Sequence, residues 1–214
     1  MSTAAAAVDK YETPLTPESW GKLGMWIFLA GDAMSFGGLL AGYGALRIAA
    51  GDKWPSPADT LGIPLTAFMT FVLICSSVTM VKALSAIRHG DMKKFKLFMA
   101  ATVFGGVFFL GCQYYEWSHL MKGPDGVFGN ADDITATRFP GEGMTANFGA
   151  TFYTLTGFHG MHVTGGVIYL GVLLILGMMG RLTPAHGDQV EIAGLYWHFV
   201  DLIWILVFTF VYLL

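Results

Sequence analysis

The sequence predicts an all-α fold, a polytopic membrane bundle of five transmembrane helices. Three observations carry that expectation. Of the 214 residues, 54% are hydrophobic and only 13% are charged, where a soluble domain runs roughly 45–50% apolar and about 25% charged. Five apolar stretches each reach the ~20 residues that a helix needs to cross the hydrocarbon core. Lysine and arginine fall unevenly among the connections between those stretches, as they do in multi-pass proteins. The composition excludes a disordered chain and a disulfide scaffold. A net charge of −3 gives no basic surface for a nucleic acid. Cys75 and Cys112 both lie in apolar runs and are expected as buried, reduced thiols.

The first 21 residues carry Asp9, Lys10, Glu12 and Glu18. They have neither the basic and apolar regions of a secretory signal nor the arginine-rich character of a transit peptide, and are expected as a polar tail. The membrane domain is expected over 22–214, with spans at 23–49, 64–87, 97–117, 148–179 and 192–214. The fourth exceeds the hydrocarbon thickness, so it tilts or its ends protrude. With the N-terminus inside, the inner side holds Lys10, Lys22, Lys82, Arg88, Lys93, Lys94, Lys96 and Arg181. The outer side then holds Arg47, Lys53, Lys122 and Arg138. Eight against four favours an N-in, C-out orientation. The outer loop 118–147 contains Asp125, Asp132, Asp133 and Glu142 among glycines. Such oxygens suit Ca²⁺, but the EF-hand spacing is absent, and a solvated turn-rich loop is expected.

Ionisable groups inside a span are costly, and each is a candidate functional residue. Asp32 lies ten or eleven residues into the first span, near mid-bilayer at 1.5 Å per residue. It reads as a proton-linked or partner-facing acid, or as a neutral carboxyl in a packed seam. In the fourth span His159 and His162 stand three apart and share a helix face. The fifth span opens at Glu191 and then places His198 and Asp201 three apart. Glu116 ends the third span toward the outer side. Three histidines with several carboxylates admit a metal centre or bis-histidine haem ligation. Two histidines on one face suit hydrogen bonding to a neighbouring helix better, as part of a polar network fixing the last two spans together. Trp20, Trp54, Trp117 and Trp197, at span ends, suit the headgroup level.

Residues 152–162, FYTLTGFHGMH, and 191–201, EIAGLYWHFVD with Trp204 following, resemble the two signatures of cytochrome c oxidase subunit III. Residues 113–117 and the helix at 24–36 are similar to further family segments. The family usually carries Ser-Glu where this chain has Gly31 and Asp32, which keeps the carboxyl one methylene shorter. Long members have seven spans; this chain resembles the short five-span form, beginning at what would be their third. The resemblance implies a non-redox core subunit of a proton-pumping haem–copper terminal oxidase that reduces O₂ to water. It implies haems and copper in partner subunits I and II and no metal or catalytic residue in this chain. Structural phospholipid, a bacterial plasma membrane and membership of a larger respiratory assembly are compatible with it. The implied work is to brace subunit I, hold lipid, and support proton uptake and O₂ access. Asp32, Glu116, His159, His162, Glu191, His198 and Asp201 would then be structural and proton-environment groups. Trp117, Tyr196, Trp197 and Trp204 would face lipid or a subunit interface. Accessory proteins of nitric oxide reductases resemble this short form, quinol oxidases have a similar third subunit, and a membrane haem protein is the reading from a different class.

Overall fold

A computed structural model of the chain describes residues 20–122, 127, 134–135 and 146–214. Five long helices dominate it: α1 (Trp20–Ala50), α3 (Ile63–Arg88), α4 (Met92–Lys122), α5 (Ala146–Met178) and α6 (Gly187–Val207), with the short α2 (Pro57–Thr60) between the first two. All five are long and apolar enough to cross a membrane, α6 together with the π-helical turn Phe208–Leu213 that extends it. The fold expectation holds. The carboxylates of the acidic outer loop, and all but the last two residues of the expected polar tail, lie outside the described residues. Trp20 and Gly21 already belong to α1.

The helices stop where backbone chemistry requires. Gly90 and Gly180 take positive φ of 76° and 73°. Each lets two amides turn back onto the helix it ends: Gly90 and Asp91 onto Ile87 and Ala86, Gly180 and Arg181 onto Gly177 and Leu176. This satisfies carbonyls that the last turn would otherwise leave open. Asp91 then starts α4 by accepting the Lys94 amide at 3.1 Å. α4 runs five residues beyond the expected span at each end, since Lys93, Lys94, Lys96 and Lys122 extend the helix into the polar zone.

α1 packs on α5 and α6, α3 on α4 and α6, α4 on α5, and α5 on α6. The buried rows are narrow. α1 buries Leu29, Phe36, Tyr43 and Ala50, one residue every seven. Outside these seams the helices stay apolar and exposed, as at Ile48, Phe71, Phe104 and Met161. Cys75 is exposed for the same reason, and Cys112 is half-buried; both are free, so the expectation of two buried thiols is corrected.

Small residues mark the closest approaches. A Cβ on Gly106 of α4 would lie 2.6 Å from the Trp197 ring and 2.5 Å from Val167. A Cβ on Gly166 of α5 would lie 2.8 Å from the same ring. Trp197 of α6 is thus wedged between α4 and α5. Gly106→Ala is expected to cost about 1–3 kcal/mol, the usual penalty for overpacking. Gly24→Ala, with open space around it, is expected to be silent. The midpoint of SDS-induced unfolding in mixed micelles checks both.

Candidate functional site: a polar seam through the bundle

The polar side chains form a ladder by depth. At one end Glu191 of α6 accepts from Lys22 of α1 at 3.0 Å and from Arg88 of α3. Asp188 adds a longer contact to Lys22 at 3.7 Å. One carboxylate so gathers three helices. On the same side, Asp91 sits in the turn between α3 and α4. Its carboxyl is held below the ordinary aspartate range, first by the Lys94 amide and then by the Lys94 side chain. A depressed carboxylate contributes stability above its unfolded value, lost as pH falls through the folded one. The α4 cap therefore weakens only in acid.

Further in, α6 faces α3 through hydroxyls. Trp197 Nε1 donates to Ser76 Oγ at 3.0 Å, and Trp204 Nε1 donates to Thr70 Oγ1 at 2.8 Å. His198 Nδ1 lies 2.8 Å from Ser77 Oγ, and Asp201, one helical turn along α6 from His198, is buried. The indoles of Trp197 and Trp204 are buried in the protein. The expectation that they face lipid or a subunit interface is corrected. Trp197 lies ten residues into α6, far from the headgroups, where an indole N–H must find a protein acceptor. Trp54, also expected at headgroup level, is covered by Tyr43 and Phe148. Trp117 is half-buried against Tyr153.

The two α5 histidines fan apart, because three residues along a helix turn the side chain by about 60°. His162 Nε2 lies 3.2 Å from Asp32 Oδ2 of α1, and its Nδ1 lies 2.7 Å from the Phe158 carbonyl. Tyr196 of α6 donates its hydroxyl to the His162 carbonyl at 2.9 Å. His159, rotated away from Asp32, is fully enclosed, with its ring 4.7 Å from Trp204 and 5.6 Å from Phe109. Among the described residues neither His159 nitrogen has a hydrogen-bond partner. Of the residues named from sequence, Tyr196 joins the last two spans directly. Asp32, Glu191 and His198 instead tie α1 or α3 into the bundle.

At the far end Glu116 of α4 is buried. It accepts from Thr66 Oγ1 of α3 at 3.0 Å and from the Tyr212 hydroxyl at 2.8 Å. Tyr212 stands in the π-helical turn that closes the chain. One turn deeper, Gln113 Nε2 donates to the Thr156 carbonyl of α5 at 2.7 Å, beside Gly160. Sequence reasoning passed over Thr66, Thr70, Ser76, Ser77 and Tyr212. The row of hydroxyls on the second span was the available signal.

The arrangement provides cross-helix hydrogen bonds and ion pairs. Among the described residues no three His, Cys, Asp or Glu side chains gather where a metal ion could sit. His159 and His162 both pack on Phe36, but only His162 meets Asp32, and His198 meets Ser77.

The sequence model of one protein family, cytochrome c oxidase subunit III, matches residues 14–214. The chain belongs to the cytochrome c oxidase subunit III family. A probable cytochrome c oxidase subunit 3 of Mycobacterium tuberculosis is 33% identical over 212 residues, 99% of this chain and 97% of that protein. The cytochrome c oxidase subunit 3 of Alkalihalophilus pseudofirmus is 35% identical over 192 residues, covering 90% and 85%. That of Bacillus subtilis is 34% identical over 193 residues, with the same coverage. The chain is therefore a multi-pass membrane subunit III of a haem–copper oxidase.

Removing the buried acceptor of this subunit III leaves the Tyr212 hydroxyl unpaired, while Thr66 Oγ1 keeps the Gly62 carbonyl at 3.1 Å. Glu116→Ala is expected to cost about 1–3 kcal/mol and Tyr212→Phe about 1 kcal/mol. Thermal retention of the chain in mild detergent checks this. An unshifted Tyr212→Phe variant would contradict the geometry.

Proposed function

We propose that this chain braces the large redox subunit of its oxidase and carries no catalytic centre itself. On this reading the haems and copper sit in subunits I and II, and the complex passes electrons from cytochrome c to O₂ while pumping protons. The observation that supports it is where the chain's ionisable side chains are directed. Glu191, Glu116, His198 and His162 each meet a partner inside this bundle, on a different helix. Polar side chains spent on separate helices serve to fix the bundle's shape. A helix pair gains little from apolar burial in lipid and depends on such contacts.

α1 has the narrowest buried row and exposes Trp26, Ile27, Phe28 and Met34. That face suits a neighbouring subunit or phospholipid. The Asp32–His162 pair, largely covered by this chain with side chains 15% and 9% exposed, lies beside it and suits a role in sustaining proton uptake. The excess of lysine and arginine at the 82–96 turn supports an N-in, C-out orientation in a bacterial plasma membrane.

Purification through a tag on this chain, in mild detergent, tests the proposal. A large partner with haem–copper bands in a reduced-minus-oxidised spectrum is the expected result. A reductase partner without those bands, or haem retained by the isolated chain, would contradict it. The His159→Ala variant is expected to weaken retention of the chain in the complex while leaving the haem bands unshifted.

A further inference from the structure

The chain is acidic overall, yet residues 82–96 carry Lys82, Arg88, Lys93, Lys94 and Lys96 against the single acid Asp91. At this turn α3 and α4 enclose a groove of about 570 Å³. Its polar lining is Lys82, Ser85, His89, Asp91 and Lys94, and its apolar wall is Ala86 and Phe98. Asp91 is already engaged, with Lys94 Nζ at 3.0 Å and the Lys94 amide at 3.1 Å. His89 Nδ1 lies 2.8 Å from the Ser85 carbonyl. Lys82 is different. Among the described residues it has no carboxylate within ion-pair distance, and its ammonium stands 5.6 Å over the Phe98 ring.

Depth decides which anion can meet it. Lys82 lies six residues before the end of α3, and Phe98 six residues after the start of α4. At 1.5 Å per residue both lie roughly 9 Å inside the helix ends. A lysine there keeps its stem in apolar surroundings and reaches back toward the interface. The anion present at that level is the phosphate of a lipid, and basic pockets between spanning helices recruit such headgroups. Below Lys82 on the same face of α3, four and seven residues back, Val78 and Cys75 are exposed. Beyond the groove's own lining they offer an exposed apolar track along α3 at the depth of an acyl chain, for which a free phosphate ion has no use.

We propose that the α3–α4 groove holds one anionic phospholipid, its phosphate at Lys82 between His89 and Lys94, and an acyl chain along Val78 and Cys75. This rests on α3 and α4 spanning the bilayer, and is independent of the proposed bracing role and orientation.

The test uses the chain with whatever partners co-purify, reconstituted in phosphatidylcholine nanodiscs. A minority of photoactivatable phosphatidylglycerol, or of the matching phosphatidylcholine analogue, is added and the labelled peptides are mapped. Phosphatidylglycerol is expected to label the 71–98 region about fivefold more than phosphatidylcholine, the scale of one lysine near a lipid phosphate. Lys82→Gln should bring the two lipids to parity, and Lys82→Arg should keep the preference. Lys53→Gln, at the opposite end of the bundle, should leave it intact. Unchanged phosphatidylcholine labelling of α5 peptides reports that each variant is folded. Equal labelling by both lipids in the unsubstituted chain, or a preference that survives Lys82→Gln, would overturn the proposal. Loss of labelling in excess inorganic phosphate would overturn it too, assigning the site to the free ion.

Discussion

Two indoles on α6 hold this bundle at mid-depth. Trp197 and Trp204 stand seven residues apart, two turns along one face. Each sends its N–H to a hydroxyl on α3 and lays its ring against α4 and α5. In water such rings would be drawn inward by their apolar area. In lipid that drive is absent, since the acyl chains are as apolar as the protein interior. What remains is close contact and the cost of an unpaired N–H, and both are met here. The glycines at 106 and 166 are the complement, because a Cβ at either position would collide with Trp197.

The ends of the bundle are closed by carboxyl groups, one in ion pairs and one accepting from hydroxyls. Glu191 joins α1, α3 and α6 on one side, and Glu116 joins α3, α4 and the final turn on the other. A partly exposed ion pair in water is worth little, but at the edge of a bilayer water is scarcer and each partner lies on a different helix. α1 depends on these contacts most, since its buried row is a single residue every seven. The Lys22–Glu191 and Asp32–His162 contacts fasten it at two depths.

The five spans were legible because a membrane imposes a length and a composition on each. The inner face of each span was not legible from hydropathy, since lipid and protein interior demand the same residues. That is why Cys75 was expected inside and lies outside, and why Trp197 was expected at the headgroups and lies in the core. Small and hydroxyl-bearing residues carry the missing information. Thr66, Thr70, Ser76 and Ser77 trace the α3 seam on which two tryptophans, a histidine and a carboxyl group converge. The divergence of His159 and His162 follows from helical geometry alone. Which of them would meet a carboxylate depended on where α1 lands. Tyr212 reaches Glu116 from within the π-helical turn at the chain's end, which no local pattern announces.

The central claim is that Trp197 stabilises the bundle through Ser76 as well as through its ring. A double-mutant cycle on Trp197→Phe and Ser76→Ala, read from SDS-unfolding midpoints, measures that pair directly. The account predicts a coupling of about 0.6 kcal/mol or more, the usual scale for an interhelical hydrogen bond in a membrane. Strictly additive effects would contradict it and leave the indole N–H without an energetic role.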